Sequence, residues 1–257
     1  MAANSRFDLE GRVVIVTGGG KGIGKVYAQQ FAKAGARVVA ADIDGMAAQA
    51  VAEAIRGDGG AAIGLTTDVS NPESSHAMSE AARDTFGGID VLINNASLMS
   101  VLPRRSWLEI PEEEWDRVMA VNLRGLFLCC RAVFPVMKER GYGKIVNISS
   151  SRVWEGNPNR LHYTTSKAGV IGFTRALARE VGEHGITVNA VTPGLTMSDT
   201  QVASSSNNYL ATRLEGRAIS RPQVPDDLVG AVMFLSSAAS DFMTGQTINV
   251  DGGKAMH

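Results

Sequence analysis

Short, β-branched apolar runs alternate with helical stretches along almost the whole chain, and that alternation leaves few folds open to it. Strand-like runs fall at residues 12–17, 37–42, 61–66, 90–94, 144–149, 187–191 and 247–250. Between them, residues 25–33, 46–55, 72–86, 112–138, 161–183 and 226–236 read as helices. The first run, Val13, Val14, Ile15 and Val16, has no polar alternate, so both its faces must be covered. Strands that take turns with helices imply a parallel sheet with helices on both faces, the doubly wound α/β class. With 257 residues, no repeat and no linker, the reading is a single domain over 1–257. Asn71 and Pro72 predict the start of a helix. Pro135 predicts a kink or an early end within 112–138.

In such sheets ligands bind beyond the carboxyl ends of the strands. The residues at those ends are therefore the ones to read for chemistry. After the first strand come Gly18, Gly19, Gly20, Lys21, Gly22, Ile23 and Gly24, and then a helix. Glycines there let a backbone approach a pyrophosphate closely, and the helix N-terminus offers it free N–H groups. The second strand ends in Asp42, near the expected spacing for a carboxylate that accepts from ribose hydroxyls and repels a 2′-phosphate. Asp68, Asn95, Ser150, Pro193 and Gly194 also follow strands.

Tyr163 and Lys167 stand four apart on the helical stretch 161–183 and so share a face. A free phenol has a pKa of about 10. A cation held beside it favours the phenolate and lowers that value, which makes such a tyrosine an acid or base for an alcohol oxygen. His162 adjoins Tyr163 but points another way on a helix, so it reads as structural or pocket-lining.

A formal net charge of −1 gives no electrostatic footprint for nucleic acid or an anionic membrane. Cys129 and Cys130 sit in an apolar helical pattern, where buried thiols are expected, as in a reducing compartment. Residues 1–12 are polar and charged, unlike a secretory signal, and no apolar run approaches a membrane span. A cytoplasmic protein is expected. No metal is assigned to the site.

Taken together, Thr17, Gly18, Gly22 and Gly24, then Asn94, Asn95 and Ala96, Asn122, Ser150, Tyr163, Lys167, Pro193 and Gly194 resemble the short-chain dehydrogenase/reductase family in order and spacing. The resemblance covers nearly the whole chain. It implies an oxidoreductase that moves a hydride between a nicotinamide cofactor and an alcohol or carbonyl. It implies Tyr163 as proton donor or acceptor, Ser150 as the group polarising the substrate oxygen, and Lys167 as holder of the nicotinamide ribose. Asn122 would anchor a water in a proton relay through Lys167. Gly18, Lys21, Gly22, Ile23, Gly24, Asp42, Asp68, Val69, Asn95, Pro193, Gly194 and Thr196 would line the cofactor. Asp42 points to NAD, while Lys21 pulls toward a 2′-phosphate. A non-catalytic NAD-binding regulator and a sugar-nucleotide epimerase are the rival readings. The intact Ser, Tyr, Lys and Asn argue against the first, and the glycine spacing and short substrate region against the second.

The chain departs from the family at Ser97, where Gly is usual, at Thr196, where a branched aliphatic is usual, and at Ser198, where Thr is usual. Ser97, Met99, Trp154 and Met197, with Leu98, Val153, Leu195, Tyr209 and Leu210, are expected to wall the substrate pocket around Ser150 and Tyr163. The polar stretch 204–208 reads as part of a lid over about 197–218. Within the family the later half is similar to secondary-alcohol dehydrogenases of the 1-phenylethanol type, with pyridoxal 4-dehydrogenase and 3-oxoacyl reductases as alternatives. The expected substrate is a hydrophobic, ring-bearing secondary alcohol or ketone. Arg104, Arg105 and Arg152 are expected to keep their heads in water. Surplus apolar surface on the helices at 112–138 and 161–183 predicts an interface, and family members that pair these helices form homotetramers.

Overall fold

The computed structural model describes residues 7–203 and 216–256. The candidate lid segment 204–208, and Tyr209 and Leu210 after it, lie outside them. Seven parallel strands form one sheet in the order β3-β2-β1-β4-β5-β6-β7: β1 Val13–Thr17, β2 Arg37–Asp42, β3 Ala61–Thr66, β4 Val91–Asn94, β5 Gly143–Ile148, β6 Ile186–Pro193 and β7 Thr247–Val250. The order reverses between β3 and β4, so the crevice beyond β1 and β4 is the switch point where a doubly wound sheet takes its ligand.

Each face of the sheet carries its own core. On one side Val14, Val16, Val38 and Ala40 pack against Tyr27 and Phe31 of α1 (Gly22–Lys33), Val51 and Ile55 of α2 (Gly45–Gly57), and Leu228 and Val232 of a later helix. On the other, Ile15, Val39 and Leu92 meet Met78 and Ala82 of α3 (Pro72–Phe86) and two long helices. The alternation Val14-in, Ile15-out along one strand is why β1 needs apolar residues throughout.

Helix starts and stops follow the sequence signals. The Asn71 side chain accepts from Ser74 N at 2.7 Å, with Pro72 at the first helical position of α3. Gly87 ends that helix at φ 82°. Asp44 caps α2 by accepting from Ala47 N at 3.1 Å. α1 differs: its N-cap is Lys21, whose side chain makes no cap hydrogen bond. Its first N–H groups thus remain available to something other than a local cap.

The stretch expected as one helix over 112–138 is α4 (Glu112–Met119), a single π-helical turn (Ala120–Arg124) and α5 (Gly125–Arg140). Pro135 does not end α5. The helix runs past it to Arg140 and closes on Gly141 at φ 61°. One lost N–H bond is outweighed there by burial of Val133 and Met137 against the sheet. Contrary to the sequence expectation, Glu112–Arg140 is long and apolar enough to cross a membrane. Its apolar side chains Leu126, Cys129, Cys130 and Val133 are buried in the sheet-facing core, which accounts for that composition. Both thiols are buried and unpaired by disulfide, and burial pushes the Cys129 thiol up to about 12.

Four more α-helices lie among the described residues, besides the 3-10 turns Trp107–Glu109, Gly182–His184 and Ala238–Ser240. The short α6 (Arg152–Glu155) has no counterpart among the helices expected from the sequence. α7 (Leu161–Val181) carries Tyr163, α8 (Asp199–Ala203) follows β6, and α9 (Asp226–Ser236) packs on the first core.

Candidate active site

A cavity of about 580 Å³ opens beyond the carboxyl ends of the strands and reaches from the glycine loop to Tyr163. At one end it is lined by Gly18, Lys21, Gly22, Ile23, Asp42, Asp68 and Val69. At the other it is lined by Ser97, Met99, Ser150 and Tyr163. Asn95, Lys167, Pro193, Gly194 and Thr196 lie on its wall too. Residues scattered over nearly two hundred positions of chain are thus brought together by the strand ends.

The glycine loop is shaped by contacts that leave no room for side chains. Gly18 sits at φ 64°, and a Cβ there would come within 3.0 Å of Ala96 and of the Asn95 amide. Gly24 does not line the cavity; a Cβ on it would run into the Gly18 carbonyl, so its task is close approach of α1 to the loop. Asn95 donates through its amide to the carbonyls of Thr17 (3.0 Å) and Gly18 (3.2 Å). The Thr17 hydroxyl in turn accepts from Asn95 N and Ala96 N. Asn95 therefore ties β4 to the loop as well as facing the cavity. Sequence reading gave it only the second task.

The donor set fits an anionic dinucleotide. Gly22 N–H, at the uncapped N-terminus of α1, donates to a carboxylate oxygen of Asp199 at 3.0 Å. An anionic oxygen already occupies the position a pyrophosphate oxygen takes at such a helix end. Asp42 accepts from Gly20 N (2.9 Å) and Asp44 N (3.0 Å), which holds its carboxylate at the end of β2 on the cavity wall. Lys21 pairs with Asp44 at 2.6 Å; the ammonium lowers the pKa of Asp44 and the carboxylate raises that of Lys21. Asp68 lines the cavity and accepts from Ser70 N and Oγ at 2.9 and 2.6 Å.

The three consecutive serines after β5 divide the work. Ser149 Oγ donates to the Lys167 carbonyl at 2.7 Å and pins α7. Ser151 Oγ donates to Glu155 at 2.8 Å and holds α6. Ser150 is the one hydrogen-bonded beside the Tyr163 hydroxyl. Tyr163 is only 6% exposed. Burial pushes its phenol above the ordinary value; Ser150, Arg152 and Arg160 pull the other way without reversing the sign. This corrects the expectation of a tyrosine lowered by its lysine. The pair does share a face, with Lys167 Nζ 5.8 Å from the centre of the Tyr163 ring. That ammonium donates to the Ile148 carbonyl at 2.8 Å, and burial takes Lys167 itself down to about 7. With both groups desolvated, Tyr163 is a held proton donor rather than a standing phenolate.

Asn122 sits in the π-helical turn, where the wide backbone turns its amide inward. It accepts from Leu98 N (2.7 Å) and donates to Leu98 O (3.2 Å) and Ser166 Oγ (3.1 Å). It thereby fixes the loop after β4 to α7. His162 is fully buried against Glu114 at 3.2 Å, and burial lowers its pKa, so it is structural, not pocket-lining.

Three expected wall residues lie elsewhere. Val153, Trp154 and Met197 are absent from the cavity lining. The Trp154 indole donates to Thr192 Oγ1 at 3.3 Å, because the short helix α6 rotates it toward β6. Met197 lies on the segment that pairs with Gln223, to whose carbonyl its N–H donates at 2.7 Å. Arg152, expected in solvent, lines the cavity with Arg117 and Arg160. Leu98, Val101, Val121 and Leu195 supply the apolar wall.

A doubly wound sheet with a glycine loop at its switch point, and a Ser-Tyr-Lys set opening on the same cavity, defines a nicotinamide-dependent oxidoreductase. A family model described as enoyl-(acyl carrier protein) reductase matches residues 18–255. The 3-oxoacyl-(acyl-carrier-protein) reductase FabG of Vibrio cholerae is 38% identical over 249 residues, 97% of this chain and 99% of that protein. The (2S)-((R)-hydroxy(phenyl)methyl)succinyl-CoA dehydrogenase subunit BbsD of Thauera aromatica is 38% identical over 250 residues, covering 96% and 98%. A solved structure of a 7α-hydroxysteroid dehydrogenase with NADH and 7-oxo glycochenodeoxycholic acid superposes with a TM-score of 0.92 at 31% identity, covering 100% and 99%. The chain belongs to the short-chain dehydrogenase/reductase family.

Proposed function

We propose that the chain interconverts a secondary alcohol and its ketone with NAD(H), Tyr163 acting as general acid and base. The observation that carries this is the single cavity onto which Ser150, Tyr163, Lys167 and the glycine loop all open. The cofactor supplies the hydride at its nicotinamide; the protein positions it. Gly22 N–H would receive the pyrophosphate in place of Asp199, and Asp42 would face the adenosine ribose. Asp42, Asp44 and Asp68 make the adenosine end acidic, which favours NAD over a cofactor bearing a 2′-phosphate. In ketone reduction the Tyr163 phenol donates its proton to the substrate oxygen, and Ser150 steadies that oxygen as charge builds on it. The raised pKa of Tyr163 suits that direction at neutral pH.

Lys167 and Asn122 also line a second cavity of about 10 Å³, bordered by Thr17, Asn94 and Ile148. It has room for about one water among polar partners. Such a water would link Lys167 to Asn122 as a route for resupplying the tyrosine proton. The apolar wall of Leu98, Met99, Val101 and Leu195 favours a hydrophobic or ring-bearing skeleton. The names of the relatives, a phenyl-bearing hydroxyacyl-CoA dehydrogenase and a hydroxysteroid dehydrogenase, sit with such a skeleton, and a 3-oxoacyl substrate is the alternative they favour. A panel of cyclic and aryl secondary alcohols and ketones, followed by NADH absorbance, tests the proposal. Absence of turnover with intact NADH binding would favour the cofactor-binding regulator instead.

A further inference from the structure

The described residues at the two ends of one cavity differ in the charge they bring. The adenosine end is bordered by Asp42, Asp44 and Asp68 with Lys21. The end that holds Ser150 and Tyr163 is bordered by Arg117, Arg152 and Arg160, with Glu155 the acid among its described residues. Glu155 is engaged by Ser151 Oγ and by the Asn157 amide, each at 2.8 Å.

The two arginines nearest the chemistry are built in rather than trailing from the surface. Arg160, three residues before Tyr163, is 9% exposed; it donates to the Leu102 carbonyl at 2.7 Å and to Met99 Sδ at 3.0 Å. Arg152, two residues after Ser150, donates to the carbonyls of Asn157 and Pro158 at 2.8 and 2.9 Å. Both charges act on the Tyr163 hydroxyl. Each guanidinium is therefore held in one place on the wall of the cavity that Ser150 and Tyr163 also line. A pre-positioned planar fork binds carboxylate or phosphate with little further loss of freedom.

We infer that the substrate carries a carboxylate or phosphate on the carbon skeleton beside its carbonyl, and that Arg152 and Arg160 bind it while Ser150 and Tyr163 hold the reacting oxygen. The inference rests on the proposed alcohol–ketone chemistry and narrows its substrate class. The acidic border at the other end turns an anionic tail away from the adenosine pocket, so charge as well as shape fixes which way round the substrate lies. The remaining apolar wall accommodates the skeleton between the two polar groups.

The test compares three ketones of one skeleton: 3-acetylbenzoate, 3-acetylphenyl phosphate and the neutral 3-acetylbenzamide, each with NADH. The expected result is a kcat/KM for at least one anion about ten- to a hundredfold above that for the amide, the scale of a charge-assisted hydrogen bond. The better of the two anions identifies the group. In Arg152→Gln that ratio falls to about one. A role confined to tuning Tyr163 would instead lower all three ketones alike and leave the ratio standing, which would overturn the inference, as would equal wild-type rates. Arg160→Lys keeps a charge but loses the fork, and should cut the ratio mainly through KM. Thermal midpoints of the wild type and Arg152→Gln with each compound give a readout free of turnover. Anion-selective stabilisation without turnover of any ketone would sink the redox reading and keep the anion site; stabilisation by none, or by all equally, would overturn the site.

Discussion

Replacing Lys167 by Met should make the cofactor-free protein more stable at neutral pH while abolishing its function. The side chain is 3% exposed, and burial brings its pKa from 10.5 down to about 7. At about 1.4 kcal/mol per pH unit, that fall corresponds to roughly 5 kcal/mol of penalty on the charged form in the folded state. Below pH 7 both folded and unfolded chains hold the proton, so the penalty applies in full. Between about 7 and 10.5 the unfolded chain binds the proton and the folded chain releases it, so wild-type stability rises with pH across that window. Above 10.5 the penalty is gone. Met fills similar space without a charge but strips the Ile148 carbonyl of its 2.8 Å donor, a loss of about 1–3 kcal/mol. The net gain is about 2–4 kcal/mol near pH 6, or roughly 4–16 °C in thermal midpoint. It should shrink as pH rises and reverse between about pH 8 and pH 10. Midpoints are measured at fixed protein concentration, since association also shifts them. An offset between variant and wild type that stays constant from about pH 6 to pH 10 would refute the claim that Lys167 is held desolvated.

Further outcomes follow from the same structure. With any accepted alcohol, kcat/KM should be at least about tenfold higher with NAD than with NADP, because Asp42 borders the cavity and Lys21 is engaged by Asp44; equal values would contradict the acidic-pocket argument. Gly24→Ala should lower stability by about 1–3 kcal/mol and weaken NADH binding, since the new methyl displaces the Gly18 carbonyl; urea midpoints and NADH fluorescence report both. Light scattering should give a homotetramer, with exposed apolar surface such as Phe127 on α5 covered between copies; a monomer at working concentration would remove that expectation.

Most of the sheet was legible because buried parallel strands carry a plain signal. The ends of β3, α3, α9 and β7 fall where apolar patterning and turn residues place them. The glycine loop, Asp42, Asp68, Ser150, Tyr163 and Lys167 were legible as members of one site because strand ends in this fold converge. What was not legible depends on side-chain direction. The π-helical turn at Asn122 leaves the helical pattern of its neighbours intact, so no periodicity marks it. Helix α6 is too short for an amphipathic pattern, yet it turns Trp154 away and Arg152 inward. The behaviour of Tyr163 turned on magnitudes: the sequence supplies a neighbouring cation, but only burial and the Ile148 carbonyl reveal that desolvation outweighs it. The Asp199 contact with Gly22 spans 177 residues and leaves no local trace.

The central claim is that Tyr163 handles the proton of the substrate oxygen in a nicotinamide-linked reaction. The direct measurement is turnover by Tyr163→Phe alongside the wild type, with NADH affinity measured separately by fluorescence. The variant keeps the buried ring and loses only the hydroxyl that stands beside Ser150. The account predicts a loss in kcat on the order of a hundredfold or more with NADH affinity changed by no more than about threefold. Near wild-type turnover in the variant would show that another group moves the proton and would contradict the account.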